Sequence, residues 1–331
     1  MGINRKHTFN DDAGSAILDF VSVDKSLAPA LMQEEGEKLS NPEYTEDLTR
    51  AVYSGSATIM DLMLQQNIDV NARDHRDGRT ALSYAAELGY VEIAELLLKR
   101  GAAVNIRQYS LSKRVLGRGM NDLPWMISGR MPIHWAAVNR HSAVVELFLQ
   151  YGANPNARNT PGRLVLQDSC VNDDPKSVRL LLQAGADVNA RGYCSGWTAL
   201  HEAATWNHIE VLQILLEFNP LLDVPAVHDP EGCSPLHIAT RWGHIEIMKL
   251  LLLNGADPNI IMVEDITPLH LAAVGGWLNE LDLLLDWGAA INVQDARLRE
   301  TPLHKAARNL EFEVIEKLYL SGSFGLHSTE P

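Results

Sequence analysis

The chain has 331 residues, 46% apolar and 21% charged, which is the make-up of a folded globular protein long enough to bury a sizeable core. A formal net charge of −14 argues against nucleic acid as a main partner, because phosphate-backbone binding needs clustered Lys and Arg. Three cysteines (Cys170, Cys194, Cys233) without a C-x-x-C spacing speak against a disulfide framework, and no apolar run or leader-like start points to a membrane or secretion, so the expected location is cytoplasmic or nuclear.

In chain order, residues 1–44 hold eight acids against four bases and show no internal repetition. Apart from an apolar stretch around Ala16 to Val23, they read as an extension that is flexible or loosely docked. From residue 45 to 322 a unit recurs. It opens with TALSYAA at Thr80, MPIHWAA at Met131, TALHEAA at Thr198, SPLHIAT at Ser234, TPLHLAA at Thr267 and TPLHKAA at Thr301. Each opening predicts a capped first helix: Thr or Ser caps it, Pro fits its first position, and paired alanines allow close helix approach. A leucine run such as Leu96 to Leu98 or Leu283 to Leu285 predicts a second, core-filling helix. Gly101, Gly152, Gly185, Gly255 or Gly288 then ends it in the left-handed conformation, and Asn105, Asn156, Asn189, Asn259 or Asn292 follows four residues later.

These motifs resemble the ankyrin repeat. The resemblance implies an all-α fold, a solenoid of about eight helix-turn-helix repeats with short β-hairpin or turn fingers. Taking the Thr place of the opening as a marker, the repeats start at Glu46, Thr80, Met131, Leu164, Thr198, Ser234, Thr267 and Thr301. Residues 323–331 are left as a tail. An insertion at about 108–130 interrupts the second step. It carries Lys113, Arg114, Arg118 and Arg130 against Asp122, and an apolar cluster around Trp125, which suits a lid over the neighbouring surface. The fourth opening, LVLQDSC from Leu164, departs from the pattern, with Asp168 where the other copies have an apolar or a different polar residue.

Of twelve histidines, His134, His201, His237, His270 and His304 hold the place in the opening that in the resembled family bonds finger to helix, and His141, His208 and His244 close the turn between helices. This leaves no convergent set of metal ligands, and no cofactor is expected. The resemblance also implies a concave surface lined by first helices. Its lining falls four, seven and eight places after the marker, one helix face. That register picks out Trp135, Asp168 and Glu202 at the fourth place, Arg241 at the seventh, and Trp206 and Trp242 at the eighth, with Trp197 on a finger and Trp125 in the insertion. Tryptophan and arginine are typical binding hot spots. The first reading is a non-catalytic interaction protein that holds a protein or peptide partner in this groove. The alternative is a small-molecule binder or atypical enzyme, with Asp168 and Glu202 as candidate acid and base in an aromatic-lined pocket under the insertion.

Overall fold

The computed structural model describes residues 45–325 apart from 67, 75–77, 109–128, 161, 194 and 228. Trp125 and most of the insertion therefore lie outside the described residues, as do the extension 1–44 and residues 326–331. The described chain forms eight helix-turn-helix pairs. Repeats one to four are α1 (Thr45–Tyr53) with α2 (Ala57–Leu64), α3 (Ala81–Leu88) with α4 (Val91–Lys99), α5 (Pro132–Val138) with α6 (Ser142–Gln150), and α7 (Val165–Val171) with α8 (Pro175–Gln183). Repeats five to eight are α9 (Ala199–Trp206) with α10 (Ile209–Leu216), α11 (Pro235–Arg241) with α12 (Ile245–Leu253), α13 (Pro268–Gly275) with α14 (Leu278–Asp286), and α15 (Pro302–Asn309) with α16 (Phe312–Gly325). The last helix thus runs three residues past the expected end of the repeats at 322.

Each first helix packs on the first helix of the next repeat, and each second helix on the next second helix, so two layers run the length of the stack. The paired alanines sit between the layers with no exposure, among them Ala85, Ala86, Ala136, Ala137, Ala203 and Ala204. Leu97, Leu181, Leu251 and Leu284 fill the gap from the second helices. No single pair closes this core, so each repeat depends on its neighbours.

Local chemistry fixes the register. Thr80, Met131, Leu164, Thr198, Ser234, Thr267 and Thr301 are all N-caps. Nine places after each marker the chain passes through a left-handed residue: Gly89, Gly243 and Gly276 where glycine supplies it, but also Arg140, Asp173, Asn207 and Leu310. The described parts of the fingers are loops without extended strands. Among the described residues there are only two isolated antiparallel bridges, Arg73 with Thr80 and Arg158 with Leu164.

The recurring asparagines staple one repeat to the next. Asn156 donates to the Gly185 carbonyl at 3.0 Å and accepts from the Asp187 N–H at 2.8 Å. Asn71, Asn105 and Asn259 make the same pair of bonds to Gly101, Gly152 and Gly288 and to the N–H two residues on.

Candidate functional site on the concave face

The histidines of the openings are framework groups. In His201 the Nδ1 atom accepts from the Thr198 N–H at 3.1 Å, and Nε2 donates to the Cys233 carbonyl of the next finger at 3.1 Å. His237 and His270 repeat this with Ser234 and Ile266, and with Thr267 and Glu300. Burial favours the neutral ring and pushes His134, His201 and His237 down to about 4. Repeat four keeps the same design with a different residue: Gln167 accepts from the Leu164 N–H at 3.1 Å and donates to the Trp197 carbonyl at 2.8 Å. The turn histidines point the other way along the stack. His141, His208 and His244 bond to the Glu87, Cys170 and Ala204 carbonyls in the first helix of an earlier repeat.

In repeats two to six, residues four places after the marker form the floor of the cup. Tyr84, Trp135, Asp168, Glu202 and Ile238 are each at most 5% exposed. Those eight places after the marker form its open surface, where Trp206 and Trp242 are 47% and 50% exposed on adjacent repeats. The difference is one helical turn. The fourth place lies beneath the fingers, whereas the eighth lies at the far end of the helix, where Trp206 ends α9 and Trp242 caps α11. Arg241 is paired with Glu231 of its own finger and lies 3.8 Å from the Met262 sulfur. Trp197 is half-buried and stacks on His201 at a centroid distance of 6.1 Å.

Asp168 and Glu202 do converge, and the group they converge on is Arg163. Its Nε lies 2.8 Å from Asp168 Oδ1 and its guanidinium nitrogen 3.0 Å from Glu202 Oε1. Burial alone would weaken the hold of Arg163 on its proton, but Glu202 and Asp168 reverse that and raise its pKa. Burial raises the pKa of Glu202, with Arg163 opposing and Asp168 adding to the rise, and the Trp206 indole one turn on helps to hold the charged form. Asp168 Oδ2 is buried without a hydrogen-bond partner.

Trp135 is covered by two more arginines. The Arg79 guanidinium carbon is 3.6 Å from its ring centroid and that of Arg130 is 4.7 Å away. Arg79 is anchored by Glu87 at 2.5 Å. Burial lowers the pKa of Arg130, Asp168 opposes this, and the like charges of Arg163 and Arg79 add to the lowering. The indole N–H of Trp135 is buried and unpartnered. Arg79, Arg130 and Arg163 each stand one place before a marker, a register legible in the sequence once the place before the opening is read as well. Among the described residues there are two thiols, and burial raises the pKa of both, that of Cys233 to about 12.

With the geometry in view, the comparisons with known proteins agree. The family model for ankyrin repeats (3 copies) matches residues 21–108, 110–192, 190–262 and 254–325. Among curated proteins, the chain is 38% identical over 77 residues to human ankyrin repeat and SOCS box protein 16, covering 23% of this chain and 17% of that one. It is 32% identical over 160 residues to the E3 ubiquitin-protein ligase XBAT32 of Arabidopsis thaliana, covering 48% and 30%. It is 30% identical over 156 residues to the chicken nuclear factor NF-kappa-B p105 subunit, covering 45% and 14%. The chain therefore spans less than a third of the length of these relatives. Among solved structures, the human ASB11 ankyrin repeat domain superposes with a TM-score of 0.59 at 26% identity, covering 76% of this chain and 100% of that one. No helix among the described residues is long and apolar enough to cross a membrane. Family model, solved neighbour and repeat-by-repeat bonding converge: the chain belongs to the ankyrin-repeat family.

Proposed function

We propose that this chain is a non-catalytic interaction protein that binds a protein or peptide segment on the concave face of repeats three to six. Ankyrin repeats generally mediate protein–protein interaction, which supports the coarse reading. The observation that carries the finer one is the pair Trp206 and Trp242. Both stand at the same register on adjacent repeats with about half of each side chain in water, while Ser54, Leu88, Asn139, Asn172, Gly275 and Asn309 fill that register elsewhere. The repeat register itself does not require an indole there, although that of Trp206 also bonds to Glu202. Covering roughly 100 Å² of apolar surface on each ring is worth about 2–3 kcal/mol, the scale of a binding hot spot.

In this reading Trp135, Asp168 and Glu202 shape the floor rather than react. A general acid or base must reach a substrate proton, whereas these carboxylates are buried and share Arg163. Trp197 and Arg241 border the surface. The expectation of Trp125 and of 108–130 as a lid falls largely outside the described residues. No cofactor enters this reading.

The experiment is a peptide-display selection on the full chain, repeated with Trp206→Ala and Trp242→Ala. Selected peptides should bind either variant at least ten-fold more weakly, with the melting temperature of Trp242→Ala within about 2 °C of the parent and Trp206→Ala still folded at the assay temperature. Peptides that bind both variants as well as the parent would place the binding surface elsewhere.

A further inference from the structure

The finger loops are charge-polarised along the stack. The described residues of the four loops that precede repeats two to five, within 65–80, 100–131, 151–164 and 184–198, hold eight arginines against three acids. The three that precede repeats six to eight, residues 217–234, 254–267 and 287–301, hold nine acids against two arginines. A chain of net charge −14 thus carries a basic rim on one half of its cup and an acidic rim on the other.

The basic half is ordered into two rows. Arg79, Arg130 and Arg163 form the inner row over Trp135 and Asp168. The outer row is Arg73, Arg107, Arg158 and Arg191, each two residues after a stapling asparagine. Two of the outer guanidiniums, those of Arg158 and Arg191, are held by backbone carbonyls. Arg158 donates to the Gly162 and Arg191 carbonyls at 2.9 and 2.7 Å and stacks on Tyr193 at 4.4 Å. Arg191 donates to the Pro225 carbonyl at 2.7 Å. Carbonyls orient a guanidinium without cancelling its charge. Arg107 is exposed, and among the described residues its side chain makes no hydrogen bond or ion pair. Arg130 has no acidic partner within ion-pair distance among them, and Trp135 keeps a buried, unpartnered indole N–H beside it.

On the acidic half, Glu231 is paired with Arg241, and Asp295 and Glu300 with Lys305. Asp223, Asp229 and Asp257 cap backbone N–H groups. Glu264 and Asp265 are exposed at the tip of their finger.

We propose that the partner is an extended segment with an acidic block and a basic block, laid along the cup so that the acidic block meets the arginine rows and the basic block meets the fingers of repeats six to eight. This rests on the interaction reading above and gives it an orientation. Trp206 and Trp242 lie between the two rims, on repeats five and six, and would receive the apolar residues between the blocks. Spacing follows from the stack. The centres of the two rims are three to four repeats apart, which is about 35 Å at roughly 10 Å per repeat. Extended chain covers that in about ten residues at ~3.3 Å each. Complementary charge of this kind sets register and rejects partners laid the wrong way round, because like charges would then face each other.

The test uses labelled synthetic peptides and the full chain, read by fluorescence anisotropy. The probe has four glutamates and four lysines joined by a six-residue Gly/Ser/Ala spacer, which sets the block centres ten residues apart. Its controls have a two-residue spacer, the glutamate block alone or the lysine block alone. The probe should bind about ten-fold more tightly than any control and lose that advantage as salt is raised. Arg107→Glu should weaken the glutamate peptide and leave the lysine peptide unchanged, and Glu264→Lys should do the reverse. Both side chains are exposed, so neither change threatens the fold. Equal binding of the lysine block and the probe would show only the attraction of an acidic protein for a polycation and would overturn the proposal, as would indifference to spacer length or to both variants. Display-selected peptides that still depend on Trp206 and Trp242 in that event would leave the interaction reading standing.

Discussion

Gln167 shows what the framework histidines contribute, and it supplies their cleanest perturbation. In His237→Gln the amide oxygen should accept from the Ser234 N–H and the amide nitrogen donate to the Ile266 carbonyl, as Gln167 does with Leu164 and Trp197. At pH 7.5 stability should change by less than about 1 kcal/mol, since both bonds survive. The pH dependence should change far more. Burial holds the His237 ring down to about 4 in the folded state against 6.5 unfolded. A depressed folded pKa means that the unfolded chain binds the extra proton between those values. The contribution is therefore fully present above pH 6.5 and is lost as pH falls through 4. One proton over about 2.5 pH units is worth roughly 3 kcal/mol. Glutamine does not titrate, so the variant should gain about that much on the parent as pH falls from 6.5 to 4. Urea unfolding at half-unit steps over this range measures it. Parallel stability curves for parent and variant would refute the idea that a buried neutral imidazole drives acid unfolding here.

Two further outcomes follow from the bonding. Arg163→Met leaves Asp168 and Glu202 facing each other, both at most 4–5% exposed, and should cost about 2–4 kcal/mol at pH 8 by urea unfolding. That loss should shrink toward pH 4, because the stranded carboxylates then have raised folded pKa values and bind a proton more readily folded than unfolded; a pH-independent loss would mean that packing, not charge, is what Arg163 supplies. Asn156→Ala removes both bonds of one staple and should lower stability by about 1–2 kcal/mol, with faster hydrogen exchange at Asp187; unchanged exchange there would show the staple to be idle.

The fold was legible because its signals are local. Capping, the proline of the first turn, paired alanines and the left-handed stop after each leucine run act within one repeat, and seven markers from Thr80 to Thr301 are N-caps where the register placed them. The first repeat is less regular: α1 begins at Thr45, one residue before its marker, which lies inside the helix. The candidate surface was legible only in part. The register finds which residues line the cup, but not that the fingers roof the fourth place and leave the eighth open. Trp135 and Trp206 therefore read alike in the sequence and differ by 5% against 47% exposure in the fold. Asp168 and Glu202 read as two acids facing a common space. The arginine between them comes from a finger, 33 residues after Arg130 in the same register. Repeat four read as an outlier because glutamine does not look like histidine, although its amide places an acceptor and a donor at the same two partners.

The central claim is that Trp206 and Trp242 meet the partner. Fluorine NMR of the full chain labelled with 5-fluorotryptophan tests it directly, with resonances assigned through Trp206→Phe, Trp242→Phe and Trp287→Phe. Trp287 follows α14 in the second-helix layer and is 42% exposed, so it serves as an equally solvated reference away from the cup. On addition of a display-selected peptide, the Trp206 and Trp242 signals should shift with a common saturation curve while that of Trp287 stays in place. A saturable shift at Trp287 with Trp206 and Trp242 unmoved would contradict the account.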